Sequence, residues 1–132
     1  MKKIKGFTLI ELLVVIAILA LVISYALPNY RQYVLRSQRV PAQNTLLEIA
    51  GLFEKHYANT NAYPSSLTGG GVTGLTLEVG YLNWDEYQIT MNNNAGAWTL
   101  TATAVNEQAQ DIDCPQIQFN NLGQKTPIDC WE

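Results

Sequence analysis

The sequence predicts an α+β chain: one long, bent N-terminal helix packed on a small antiparallel sheet of three to four strands. Three observations carry that prediction. A mostly apolar run fills residues 7–27, a helical-period stripe continues beyond it, and short alternating segments separated by Asn- and Gly-rich turns fill the second half.

The first element is the apolar run. Lys2, Lys3 and Lys5 precede about 20 mostly apolar residues, enough to span a bilayer as a helix at ~1.5 Å per residue. The lysines are expected to stay cytoplasmic, which puts the remainder of the chain outside. A secretory signal peptide and a plain single-pass anchor are the competing readings. Ser24-Tyr25-Ala26 is a poor cleavage site for the first, and neither accounts for Glu11, a carboxylate inside the apolar run. If the chain is cut between Gly6 and Phe7, a new amine forms at Phe7, about 6 Å of helix rise from Glu11. Glu11 can then meet that amine within its own chain or on a neighbouring copy.

The second element continues the helix to about residue 58. Ala42, Leu46, Ile49, Ala50, Phe53 and Tyr57 recur at the spacing of one helix face. Arg31, Arg36, Arg39, Glu48, Glu54 and Lys55 are assigned to its wetter positions. Pro28 and Pro41 each remove a backbone bond and are expected to bend or loosen the helix. The third element is the sheet. Residues 75–79, 87–91 and 98–102 alternate in polarity, residues 116–120 form a fourth candidate, and the Asn92–Gly96 stretch supplies a hairpin turn. Gly69-Gly70-Gly71 lies in the loop between helix and sheet and lacks phosphate-loop spacing.

Composition narrows the function classes. The chain has 132 residues and a formal charge of −3; loss of the three leader lysines leaves five basic residues against 11 acidic, a formal −6. Nucleic acid is therefore not expected as a generic ligand. Cys114 and Cys130 are the two cysteines, and on a chain addressed to a membrane an even count favours a disulfide formed on the oxidising side. Closing that loop contributes roughly 3 kcal/mol in the chain-entropy model. The single histidine, His56, is read as a polar-face or helix-end residue. Asp111 and Asp113 are read as a solvated loop, since their spacing matches no calcium-binding loop. Trp98 is expected in the core, and Trp131 over the disulfide or at a subunit contact; Trp84 is the third tryptophan, and stacking of the three on a ligand is the weaker reading. No catalytic cluster, metal site or cofactor site is expected, and the chain is not read as an enzyme.

Lys5-Gly6-Phe7-Thr8-Leu9-Ile10-Glu11 resembles the cleavage site of type IV prepilins and of the related pseudopilins. The resemblance implies a pilin fold, with residues 1–6 a leader removed by a prepilin peptidase that cuts after Gly6 and N-methylates Phe7. It implies a transmembrane and polymerisation helix over 7–27, an exported domain over 28–132, and an assembly role for Glu11. Tyr63-Pro64-Ser65-Ser66-Leu67 recurs in pilins and pseudopilins alike. Tyr33–Arg39, Thr99–Ala102, Asn121–Pro127 and Cys130-Trp131 resemble PilE-type minor pilins, from which Pro41 departs. The implied function is a structural, low-abundance subunit of a type IV pilus, serving adhesion, twitching motility or DNA uptake. Its implied partners are other pilin subunits, major and minor, the inner-membrane assembly machinery and, before assembly, membrane lipid. It would sit in the inner membrane with its C-terminal domain periplasmic, then in the extracellular filament. A secretion-system pseudopilin and a tip adhesin are the alternatives; the Cys-to-Cys loop ending in Cys130-Trp131 weighs against the pseudopilin.

Overall fold

The computed structural model describes residues 6–71 and 74–131; the leader lysines and the rest of residues 1–5 lie outside them. Two helices come first: α1 over Leu9–Ser37 and α2 over Arg39–Thr60, separated at Gln38. Pro28 lies inside α1. Pro41 is the third residue of α2, so it has no N–H to give the carbonyl of Ser37, the residue at which α1 ends. Asn61 closes α2 in the left-handed conformation, at φ 60°, and its N–H returns to the carbonyl of Tyr57.

The chain divides into two compact units, one ending at Val34 and the other beginning at Leu35. In the first, α1 buries none of its residues, Leu9, Leu21 and Tyr25 are among its most exposed large side chains, and Phe7 just before it is exposed as well. Its most apolar 18-residue window has a mean hydropathy of 2.7, so this helix is long and apolar enough to cross a membrane.

The second unit holds the core. Strands β1 (Tyr87–Asn94), β2 (Ala97–Ala104), β3 (Gln116–Asn120) and β4 (Lys125–Thr126) form an antiparallel meander in chain order. Tyr87 faces Ala104 and Asn94 faces Ala97 across the first hairpin, so only Ala95 and Gly96 form its turn. Both have positive φ, 51° and 89°, the pattern of a type I′ turn that matches strand twist. The expected turn over Asn92–Gly96 is thus shorter, because its asparagines pair as strand. Gly123, at φ 75°, turns the chain between β3 and β4.

The stripe on α2 packs as its spacing predicts: Ala42, Leu46, Ile49 and Phe53 are fully buried, whereas Tyr57 is exposed. They meet Trp98, Leu100, Ala102 and Ile117 from the inner face of the sheet. Phe53 and Trp98 stack edge to face at 5.0 Å, and Trp98 leads on through Phe119 (6.2 Å) to Trp131 (5.9 Å).

The stretch expected as a strand at residues 75–79 is not one. Leu75 and Leu77 donate to the carbonyls of Ser66 and Leu67, making a strap beside the core, and a short helix, α3 (Val79–Leu82), follows. Alternation reports one buried face, and Leu75 and Leu77 supply that face without joining the ladder. Two short 3₁₀ turns, over Asn106–Gln110 and Ile128–Cys130, complete the fold.

Candidate functional site

At the N-terminus, Gly6, Phe7 and Thr8 precede the first helical turn, and Phe7 is 86% exposed. Glu11 lies one turn in. Its Oε2 accepts from the N–H of Thr8 at 2.8 Å and from the Thr8 hydroxyl at 2.9 Å, and the Thr8 hydroxyl in turn accepts from the N–H of Glu11 at 3.3 Å. This reciprocal pairing is a capping box, which satisfies backbone donors that the first turn leaves without helical acceptors. Thr8 and Glu11 stand three apart, the spacing of that motif, but the sequence reading gave Glu11 only a pairing with an amine. The carboxylate therefore has a local task within its own chain, beside the negative charge it holds in an apolar surface.

At the other end of the chain the structure closes the disulfide, Cys114 to Cys130, with a Cα–Cα distance of 5.8 Å. Residues around it correct two expectations. Arg39, assigned to a wet position, is buried, and so is Asp111, assigned to a solvated loop. The guanidinium grips the carboxylate through two bonds of 2.7 Å, Nε to Oδ2 and Nη2 to Oδ1. The Gln108 amide donates to Asp111 Oδ2 at 3.3 Å, to the Tyr87 hydroxyl at 3.1 Å and to the Leu35 carbonyl at 2.9 Å. Burial pushes the Tyr87 hydroxyl up to about 12. Gln43 adds a bond of 2.8 Å to the Cys130 carbonyl. The C-terminal segment is thus held by more than its disulfide, and Lys125 Nζ also sits 4.9 Å over the Trp131 ring. Arg39, Ala42, Gln43 and Leu46 follow i, i+3, i+4, i+7, so the helical period placed Arg39 on the buried stripe despite its charge. Asp113 remains exposed, as expected.

The cleft beside the disulfide, about 540 Å³, is lined by Arg36 and Arg39 but also by Asp113 and Asp129, so it offers an anion no net attraction. His56 is half-buried on α2, with Nε2 turned inward and no hydrogen-bond partner among the described residues. Trp98 is buried in the core, Trp84 packs at 6.1 Å on Tyr87, and Trp131 lies against Phe119. Among the described residues no group of three or more His, Cys, Asp or Glu side chains could hold a metal ion.

A family model described as type IV minor pilin ComP, DNA uptake sequence receptor, matches residues 28–118, and a prokaryotic N-terminal methylation motif matches residues 1–27. The chain belongs to the type IV pilin family. This is a family of structural subunits rather than enzymes. Among its relatives, the Eikenella corrodens fimbrial protein EcpC is 33% identical over 106 residues, which cover 80% of this pilin and 69% of EcpC. A Pseudomonas aeruginosa fimbrial protein is 35% identical over 109 residues, 78% of this pilin and 70% of that protein. The Neisseria gonorrhoeae type IV major pilin protein PilE1 is 30% identical over 108 residues; the match takes in 80% of this pilin and 58% of PilE1. In structure, a type IV pilin from Shewanella oneidensis shares the fold, with a TM-score of 0.59 at 23% identity, over 74% of this pilin and 98% of that chain.

Proposed function

We propose that this chain is a minor pilin, processed at its N-terminus and built into a type IV pilus that serves DNA uptake. The observation that carries the reading is the family-model match over residues 28–118, whose description names a minor pilin that is a DNA uptake sequence receptor. In this reading the prepilin peptidase cuts between Gly6 and Phe7 and methylates Phe7, and residues 7–27 hold the subunit in the inner membrane with residues 28–132 on the periplasmic side. Glu11, capped to Thr8 before assembly, exchanges that partner for the Phe7 amine of a neighbouring subunit when the helix leaves lipid for a bundle of like helices. Both groups then lose their exposure to hydrocarbon together, which ties extraction to docking.

The chain's charge supplies no generic, sequence-independent grip on DNA. Removal of the leader leaves five basic residues, and one of them, Arg39, is already committed to Asp111. A chain at −6 gains little from counterion release on a duplex.

The test is a strain lacking this gene, scored for filament number and for transformation, with the intact mass of the protein read from the filament fraction of the parent. Loss of residues 1–6, one added methyl and a fall in transformation are expected. Purified full-length protein is expected to leave a DNA duplex of random sequence unshifted at physiological salt. A deletion strain with normal filaments and normal transformation would overturn the proposal, as would an uncut chain in the filaments.

A further inference from the structure

The four strands carry one charged residue, Lys125, and its side chain turns to the inner side, over Trp131. The outward positions form a grid set by the register. Gln88, Thr103 and Gln116 make one row, and Thr90, Thr101 and Gln118 the next. Gln118 is followed by Thr126 on β4. Every outward position on the sheet is Thr, Asn, Gln or Ala, although the chain as a whole carries 19 charged side chains and a net negative charge. A face whose only task is solubility carries roughly a quarter to a third charged residues, and edge strands usually carry more. This one carries none.

The face is also indented. A hollow of about 250 Å³ opens at its β3–β4 side, lined by Gln116, Gln118 and Thr126 between the rings of Pro115 and Pro127. Two apolar rings flank three side chains that each both donate and accept hydrogen bonds. We propose that this hollow, continued by the Thr and Gln rows, is a binding surface for neutral polysaccharide. A sugar ring presents apolar C–H faces to the prolines and hydroxyls, at once donors and acceptors, to the amides and the threonine. A carbohydrate without charge meets no repulsion from the acidic chain, and no ion on the protein has to be desolvated for it to dock. Nucleic acid and anionic lipid find no cation on this face. The inference does not depend on the filament role proposed above, since it uses only residues of the sheet.

The experiment is retention of the full-length protein, in detergent micelles, on insoluble cellulose and on insoluble chitin, at low and at high salt. Retention on one or both is expected, unchanged by salt, and the two arms separate a hexose polymer from an N-acetylhexosamine one. Gln116→Ala and Gln118→Ala are each expected to weaken retention about tenfold, as loss of one good hydrogen bond does. Thr126→Val, which keeps the shape of its side chain, is expected to act in the same direction. Asn44→Ala, on the exposed side of α2, is expected to bind as the parent does. No retention of the parent on either polymer would overturn the proposal, and so would retention abolished by salt, or retention that all three sheet variants keep.

Discussion

Replacing Arg39 by Met tests how the C-terminal half is clamped to α2. The parent buries both members of the pair, with side chains 6% and 2% exposed, and joins them by two bonds of 2.7 Å. In Arg39→Met the Asp111 carboxylate stays buried, and the contact that remains to its Oδ2 is the Gln108 amide at 3.3 Å, a long bond from a neutral donor. Removing one partner of a buried ion pair costs roughly 3–5 kcal/mol, because the other charge is left uncompensated. With a urea dependence of about 1–3 kcal/mol per molar for a small domain, the unfolding midpoint falls by one to several molar. The assay is urea unfolding of the full-length protein in detergent under oxidising conditions, followed by tryptophan fluorescence; Trp98 is buried and reports the core. The companion is the double variant Arg39→Met, Asp111→Leu, in which neither charge is left behind. It is expected to regain most of the loss, since a buried pair replaced by apolar side chains of similar volume is often neutral or better. A single variant within about 1 kcal/mol of the parent would refute the reasoning, as would a double variant no better than the single.

Three further outcomes are expected. Ala95→Gly relieves a non-glycine residue at φ 51° in the hairpin turn and is expected to raise stability by about 1 kcal/mol, read as a higher urea midpoint. Of the seven tyrosines, Tyr81 and Tyr87 are expected to ionise last in an alkaline titration followed by phenolate absorbance, because burial pushes both to about 12 from an ordinary 10.0. Their folded-state values lie above the unfolded one, so their contribution to stability is intact below pH 10 and is lost as pH rises toward 12; Tyr87→Phe is expected to flatten that loss. Reducing the Cys114–Cys130 bridge, which joins residues 16 apart, is expected to lower stability by roughly 3 kcal/mol, measured by the same urea unfolding with and without reductant.

The sequence by itself determined the elements whose signal is local and periodic. The apolar run over residues 7–27 could only be a helix with no partner in its own chain, and α1 buries none of its residues. The stripe from Ala42 to Tyr57 is a core face as far as Phe53, with Tyr57 left exposed, and the two long strands of the hairpin alternate in the period that a half-buried strand requires. The two cysteines, even in number, pair as expected.

Only the tertiary structure decided what lies between distant segments. Arg39 and Asp111 are 72 residues apart, and neither charge announces that the other will be buried against it. A charged residue alone predicts water, because desolvation without a partner is prohibitive; the partner comes from a loop that folding alone brings near. Residues 75–79 carry a strand's alternation, yet they strap the core instead, since the ladder they would have joined is a choice among edges that sequence period does not make. The uncharged outer grid is likewise a product of register. Each threonine and glutamine is unremarked in its own strand, and the pairing of Thr101 with both Thr90 and Gln118 is what gathers them onto one face.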